Sequence, residues 1–407
     1  MWKTVKLGEI ATWVRGLTYS KKDEVENDGI AVLRATNIDL ATHKIVLDDI
    51  RYVNETVKVK EEKYTQVGDL LVCTASGSKS HVGKVAIVED DLGMAFGGFM
   101  AAIRCNEHCF PRYLYHVLTS QDFKSHLKSL GDGANINNLK FSQIEEYEVP
   151  LPPLAEQQRI VAKLDAAFAE IDRAIEASEE KLASTVQLKI RALAKLLSES
   201  KSNSPPTPLE SCVETYHQGL NTAGEKVKFS DSGYPVLQTR NINDGQIDFV
   251  EKIKFVDEKL WEKYKAKYKP EVGDVFFTNI GTIGKTAVVT EDRDYLIHWN
   301  IFKLRTKGNK LLPEFLKLNL DFLTDCGYFS SKQKGGTVNF VTKKMIGSAP
   351  ICLCSIEKQE KLLEISSKIE VACEIAKSST ENKLSQLAKL KSAILDQELQ
   401  PTQSEAA

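Results

Sequence analysis

The chain has 407 residues, 42% hydrophobic and 27% charged, with a formal net charge of −2. That length suits two to four compact units, and the charge balance gives no global electrostatic signature for a polyanion. No apolar run approaches the roughly 20 residues that span a bilayer, and MWKTVKLGEIATWV lacks the basic flank and apolar core of an export signal, so a cytoplasmic protein without membrane spans is expected.

Residues 1–150 break into short β-branched runs separated by Gly, Asn and Asp, followed by a helical stretch near 111–128 and a Gly-rich loop at 133–139. They carry 18 Lys/Arg against 21 Asp/Glu, a net −3. Residues 151–203 read as one long helix. Pro152 and Pro153 lead into it where a missing N–H costs nothing, and Glu156 complements the dipole of the first turn. Val161, Leu164, Phe168, Ile171 and Ile175 step alternately by 3 and 4, a seam of the coiled-coil kind. Around Leu182, Val186 and Ile190 the step becomes 4 and 4, an expected stutter, before the seam resumes at Leu193 and Leu197. The Ser/Pro stretch SESKSNSPPTPLE (198–210) then breaks the helix.

Residues 204–350 restate the first 150. VLRATNI (32–38) returns as VLQTRNI (236–242), VGDLLVCTASGS (67–78) as VGDVFFTNIGT (272–282), and VGKVAIV (82–88) as IGKTAVV (283–289). FPRYLYHVL (110–118) answers to LPEFLKLNL (312–320), and GANINNL (133–139) to GGTVNFV (335–341). The offset stays near 200 residues, the mark of an internal repeat. Over 205–350 the balance is 21 Lys/Arg against 18 Asp/Glu, a net +3. The lysine run EKLWEKYKAKYKP (258–270) fits a solvated amphipathic helix and a phosphate-facing element equally. Residues 351–407 form a second long helix with a seam at Leu362, Ile365, Ile369, Ala372 and Ala376. Helices of about 45 residues, about 65 to 70 Å long, cannot be wrapped by globules of this size. They are expected to bury their seams against each other, antiparallel because the order is globule, helix, globule, helix. The expected fold is α+β: two similar globular domains joined by two long antiparallel coiled-coil helices, with a pseudo-twofold internal repeat.

This repeat, the linker and above all PLPPLAEQQRIVAKLDAAFAEID (150–172) resemble the specificity subunit of type I restriction–modification systems, over essentially the whole chain. The resemblance implies a DNA-reading scaffold without catalysis of its own. Residues 1–150 and 204–350 would be target recognition domains, each reading half of a bipartite, asymmetric site in double-stranded DNA. The helices at 151–203 and 351–407 would set the gap between the halves and dock two methyltransferase subunits. S-adenosylmethionine, ATP and Mg would belong to those partners and to restriction subunits, with no cofactor or metal on this chain. Motifs for an adenine methylase loop, a helix-borne His pair, a GxSxG elbow and a dinucleotide-binding turn are all missing from the sequence.

Base readout needs Arg, Lys, Asn or Gln on exposed loops, with hydroxyls and backbone N–H groups on phosphates. The candidates in the first domain are Arg15, Tyr19, Lys21, Lys22, Arg34, Ser76, Ser78, Lys79, Ser80 and His81. In the second they are Gln218, Asn221, Gln238, Arg240, Asn279, Thr282, Lys332, Gln333 and Lys334. Lys84 and Lys285 are expected on phosphates. Residues common to both halves, Asn37/Asn241, Gly68/Gly273 and Asp69/Asp274, are expected to serve the frame. TNIGTIGKTAVV (278–289) imitates a nucleotide-binding P-loop, but Asn279 stands where a glycine is required and strand-like TAVV follows where a helix must start, so a hairpin loop is expected. The eight cysteines lack a disulfide framework, and Cys105, Cys109, His108 and His116 lack the second pair that a zinc site needs. The competing reading is a coiled-coil scaffold presenting two protein- or glycan-binding globules.

Overall fold

The computed structural model describes residues 2–40, 42–77, 81–130, 139–199, 205–332 and 340–400. The chain resolves into two compact units, Met1–Ser178 with Asn382–Ala407, and Glu179–Glu381. Neither long helix is a domain by itself; Leu154–Glu199 and Ile356–Glu398 each give one part to each unit.

In the first unit a four-stranded antiparallel sheet runs in the order Ala11–Arg15, Met100–Cys105, Leu70–Cys73, Val85–Ile87. A second sheet orders Glu24–Val25, Arg51–Val53, Ile30–Leu33 and Ala95–Phe96, the last pair parallel. Lys3–Lys6 pairs with Glu148–Leu151, tying the start of the chain to the lead-in of the long helix. Pro111 opens helix Pro111–Thr119, and Ser120 caps Gln121–Ser129 by accepting from Phe123 N at 3.3 Å. Tyr113, Leu114 and Phe123 pack with Leu70, Val72 and Ile103 of the sheet and with Ile160, Val161 and Leu164 of the long helix in one core.

The second unit repeats this plan. Val213–Gln218, Ile301–Thr306, Val275–Thr278 and Thr286–Val288 form its four-stranded sheet, and Lys254–Val256, Tyr234–Leu237 and Leu296–Ile297 its smaller one. Thr207–Pro208 pairs with Pro350–Ile351, and helix Pro313–Asp325 covers the sheet. Gly68 and Gly273, at φ +91° and +89°, make the same left-handed turn in the two units, a conformation that Cβ-bearing residues resist. One element lacks a helical counterpart of its length: Glu258–Tyr268 replaces the single turn Glu61–Lys63.

Each unit buries its own stretch of paired helix. In the first the two segments run antiparallel, with Lys163 Nζ 2.6 Å from Glu398 Oε1 and Lys391 Nζ 2.7 Å from Asp172 Oδ1. Leu395 and Leu399 join the core around Leu164, and Lys391 lies over the Phe168 ring. In the second, Leu193, Leu196 and Leu197 share a core with Leu362, and Ile369 packs against it.

The seam departs from the sequence expectation in detail. Val161, Leu164, Ile171 and Leu362 are buried, while Phe168, Ile175, Ile369 and Ala376 are half-buried. Ile365 and Ala372, however, face outward, and their places are taken by buried Ser366 and half-buried Cys373. The expected stutter at Val186 is overturned in the same way. Val186 is 51% exposed, and the inward face runs Ser178, Leu182, Thr185, Lys189 in unbroken steps of 4 and 3. In each case the more apolar of two adjacent residues drew the seam off register, whereas helix geometry chose the other and accepted a small or amphipathic side chain.

Candidate nucleic-acid interface

Backbone hydrogen bonds gather several loops at one end of each sheet. In the first unit Thr74 N and Ala75 N donate to Phe99 O, at 2.9 and 3.2 Å. Gly16 N donates to Met100 O, Leu17 N to Phe96 O, Gly97 N to Leu33 O and Leu139 N to Thr74 O. Five segments distant in sequence therefore meet around the turn Gly97–Met100. The second unit repeats the net: Gly219 N to Ile301 O, Leu220 N to Ile297 O, His298 N to Leu237 O, Asn279 N to Asn300 O and Val341 N to Asn279 O. Gly16 and Gly219 are required by this approach, because a Cβ on either would stand 2.1 Å from a carbonyl oxygen of the turn segment.

The shared residues hold this frame. Asn37 Oδ1 accepts from Arg34 N at 2.9 Å, and its Nδ2 donates to Val46 O and Asp48 O. Asn241 does likewise with Gln238 N and Glu251 O. Asp69 and Asp274, nearly fully buried, accept from the backbone N–H three residues earlier and also from arginines, Arg104 and Arg305, at 2.8 to 3.0 Å through two nitrogens each. The turn role was legible in the sequence; the arginine partners, one strand away, were not.

Two expected readers are overturned. Lys84 is buried with Nζ donating to Ile38 O at 2.6 Å, and burial holds its ammonium below the usual lysine value. It pins the hairpin to the neighbouring turn, as its counterpart Lys285 does through Asn243 Oδ1 at 2.6 Å. Asn279 is 1% exposed and spends its backbone groups on Asn300 and Val341, so it cannot reach a base edge. Others are engaged but near the surface: Arg34 pairs with Asp49 at 2.8 Å, Gln218 Nε2 donates to Trp299 O and Asn221 Oδ1 caps Gly224 N. Tyr19, Ser76 and His81 are half-buried, and Arg15, Lys21, Lys22, Arg240 and Thr282 are exposed. Ser78, Lys79, Ser80, Gln333 and Lys334 lie outside the described residues, while Lys332 closes the turn Ser330–Lys332.

Gln238, Arg240, Thr282 and Lys285 are brought together. With Thr239, Asn243 and Asn300 they line an open cleft of about 580 Å³ whose walls are amides, hydroxyls and cations, the donor and acceptor set that matches base edges. Sequence reasoning missed the central turn. Phe99 is 71% exposed and Trp299 37% exposed on it, and GGF (97–99) against HWN (298–300) is a visible difference at constant offset.

The P-loop imitation is a hairpin. Val275–Thr278 pairs antiparallel with Thr286–Val288, and Thr278 Oγ1 donates to Thr282 O while accepting from Lys285 N. No helix follows to aim its N-terminus at a phosphate. Cys109 is a buried core residue, and His116 bonds Asp165 at 3.2 Å. Among the described residues no cluster of three His, Cys, Asp or Glu could hold a metal, and no helix is long and apolar enough to cross a membrane.

Two copies of one loop-bearing frame, differing in the side chains they display, define a sequence-recognition protein that reads DNA. The chain belongs to the type I restriction modification DNA specificity domain family, whose model matches residues 1–181 and 224–386. It is 25% identical over 420 aligned residues to the type I restriction enzyme EcoKI specificity subunit of Escherichia coli K12, covering 97% of this chain and 87% of that one. Identity to the StySPI specificity subunit of Salmonella potsdam is 27%, covering 77% and 70%. Among solved structures, a chain from work on complex assembly and conformational transition of the type I R-M system matches with a TM-score of 0.76 at 22% identity, covering 98% of this chain and 97% of that one. The HsdS subunit from Thermoanaerobacter tengcongensis matches with a TM-score of 0.53 at 20% identity, covering 98% and 96%. These two likenesses bear on the fold.

Proposed function

We propose that this chain directs a type I restriction–modification complex to a bipartite, asymmetric DNA site, each unit reading one half through the loops gathered at the end of its sheet. The observation that carries the reading is the duplicated hydrogen-bond net with unlike side chains on it, GGF against HWN and Arg34 against Gln238. A common frame fixes each domain on the duplex, and the unlike residues give it two different half-sites. The continuous helices, 46 and 43 residues, set the gap between half-sites and dock two methyltransferase subunits. Methyl transfer, with S-adenosylmethionine, and translocation and cleavage, with ATP and Mg, belong to those subunits and to restriction subunits. This chain chooses the site and performs no chemistry. The relatives named as type I restriction enzyme specificity subunits support this division of labour.

Methylation-sensitive sequencing of DNA from cells carrying the chain and a methyltransferase partner tests the reading. The expected result is one modified motif with two defined halves and a fixed undefined gap, lost when the chain is removed. A contiguous motif, or modification that survives without the chain, would sink it.

A further inference from the structure

The units differ most after the strand that enters the smaller sheet from its edge. In the first, Arg51–Val53 is followed by an irregular run and the turn Glu61–Lys63. In the second, Lys254–Val256 leads into the eleven-residue helix Glu258–Tyr268, started by Asp257, whose carboxylate accepts from Leu260 N at 2.8 Å. Trp261 and Tyr264 are buried with Leu220, Val236 and Leu296, and Tyr234 stacks on Trp261 at 4.4 Å between ring centroids. That packing fixes the opposite face outward. Lys259, Lys263 and Lys267 fall at i, i+4 and i+8, and all three are exposed.

In the free protein this stripe is unfavourable. Like charges four apart on a helix repel, and cations in the first turns oppose the helix dipole. Lys267 in the last turn complements that dipole; Lys259 and Lys263 do not. Two of the three are also held in place: Lys263 Nζ lies 4.6 Å from the Tyr264 ring centroid and 3.7 Å from Glu225 Oε2, and Lys267 Nζ lies 5.1 Å from the Tyr268 ring centroid. Glu225 closes the turn beginning at Asn221, and Thr222 Oγ1 in that turn is 3.0 Å from His298 Nε2 of the reading turn. The stripe therefore stands beside the loops that read the second half-site. Charge follows the same contrast, since residues 223–269 hold 10 Lys/Arg against 8 Asp/Glu, and the corresponding residues 20–63 hold 8 against 10.

We propose, resting on the reading of the chain as a DNA-specificity subunit, that Lys259, Lys263 and Lys267 bind the phosphodiester backbone flanking the second half-site. The second recognition unit thereby becomes the electrostatic anchor of an unequal pair, since the first has no equivalent helix. Phosphate contacts position a domain without reading sequence, so the stripe governs affinity and its salt dependence, not the motif.

The test uses the full chain assembled with its methyltransferase subunits and a duplex carrying the modified motif, with the binding constant measured across salt concentrations. Each phosphate neutralised contributes about 0.9 to the slope of log K against log salt. Replacing Lys259→Gln, Lys263→Gln and Lys267→Gln together lowers the steepness of that slope by about 2 to 3 and leaves the methylated motif as it was. Lys58→Gln with Lys60→Gln, in the corresponding run of the first unit, leaves the slope unchanged. The lysines are exposed, so helix content by circular dichroism is expected to be unaltered. An unchanged slope in the triple variant overturns the proposal, and so does an altered motif, which would make these lysines base readers. A wild-type assembly that modifies no bipartite motif would instead overturn the reading on which the proposal rests.

Discussion

Replacing Gln157 with alanine tests the joint between recognition domain and long helix. Gln157 is fully buried, with Oε1 accepting from Phe110 N at 2.7 Å and Nε2 donating to His108 O and Pro152 O, both at 2.9 Å. The side-chain amide thus joins the first turn of the helix to the proline lead-in and to the segment that opens helix Pro111–Thr119. Gln359 repeats the arrangement with Leu312 N, Lys310 O and Cys354 O at 2.9, 2.8 and 2.9 Å. Alanine leaves one N–H and two carbonyls unpaired in a buried site, each costing about 1 to 3 kcal/mol before water or relaxation recovers part of it. A loss of about 3 to 5 kcal/mol is expected, a large share of the roughly 5 to 15 kcal/mol that holds a typical domain. Gln157→Glu should cost at least as much at neutral pH, because it faces two carbonyl oxygens with a carboxylate and supplies no donor. Urea denaturation of the full chain measures the loss, and Gln359→Ala should give a loss of the same size in the other unit. A loss below about 1 kcal/mol in Gln157→Ala would refute the claim that this glutamine pins the joint.

Four further outcomes are expected. Asp69→Ala and Asp274→Ala strand Arg104 and Arg305 and free a buried backbone N–H, costing about 2 to 4 kcal/mol after allowing for the partly exposed guanidinium groups, as read by thermal or urea unfolding. Lys84→Met should leave the salt slope of DNA binding unchanged while altering stability; a slope reduced by about one would restore Lys84 to the phosphates. Asp165 bears on acid stability: burial opposes its ionisation, but hydrogen bonds from His116 and Arg112 prevail and hold the carboxyl below its usual range. A depressed carboxylate contributes stability above its unfolded value and loses it as pH falls through the folded one, so the contribution should fade below about pH 4, and Asp165→Asn should flatten that limb of the unfolding midpoint against pH. The fourth, a graft of the reading turn, is developed below.

The repeat, the strands, both long helices and the hairpin nature of TNIGTIGKTAVV were legible because each rests on local pattern or on comparing one half with the other. Failures arose where tertiary geometry overrules residue type. Ile365 faces water while Ser366 is buried, because the heptad register counts position and tolerates a small hydroxyl that can bond back along its own helix. Lys84 resembles a phosphate ligand until Ile38 O, 46 residues earlier, is seen at its ammonium. Gln157 stands in a motif that resembles the family's, yet only the folded chain gives the reason that it is a glutamine: a donor and an acceptor are needed at one buried point, and no other uncharged side chain of that reach supplies both. The reading turn escaped notice because a pair of glycines suggests flexibility, whereas here their backbone is held by the same hydrogen bonds as His298 and Trp299.

That equivalence makes the turn the sharpest place to separate frame from reader. Gly97, Gly98 and Phe99 occupy the places of His298, Trp299 and Asn300, and neither glycine has the positive φ that would exclude a side chain. A Cβ at 97 would meet Leu33 O at 3.4 Å, and one at 98 would meet Leu17 O and Thr18 Oγ1 at 3.2 Å, contacts relieved by shifts of a few tenths of an ångström. Exchanging the three residues for His, Trp and Asn should therefore leave the first unit folded, within about 1 to 2 kcal/mol of the original. The half-site it reads should change, because an exposed apolar ring that can meet a thymine methyl gives way to an indole and an amide that offer hydrogen bonds. The other half-site and the gap should stay as they were, since the second unit and both long helices are untouched. Methylation-sensitive sequencing reads all three at once. If the graft folds and the first half-site is unchanged at every position, the turn belongs to the frame, and specificity in that unit must lie with the other loops gathered around it.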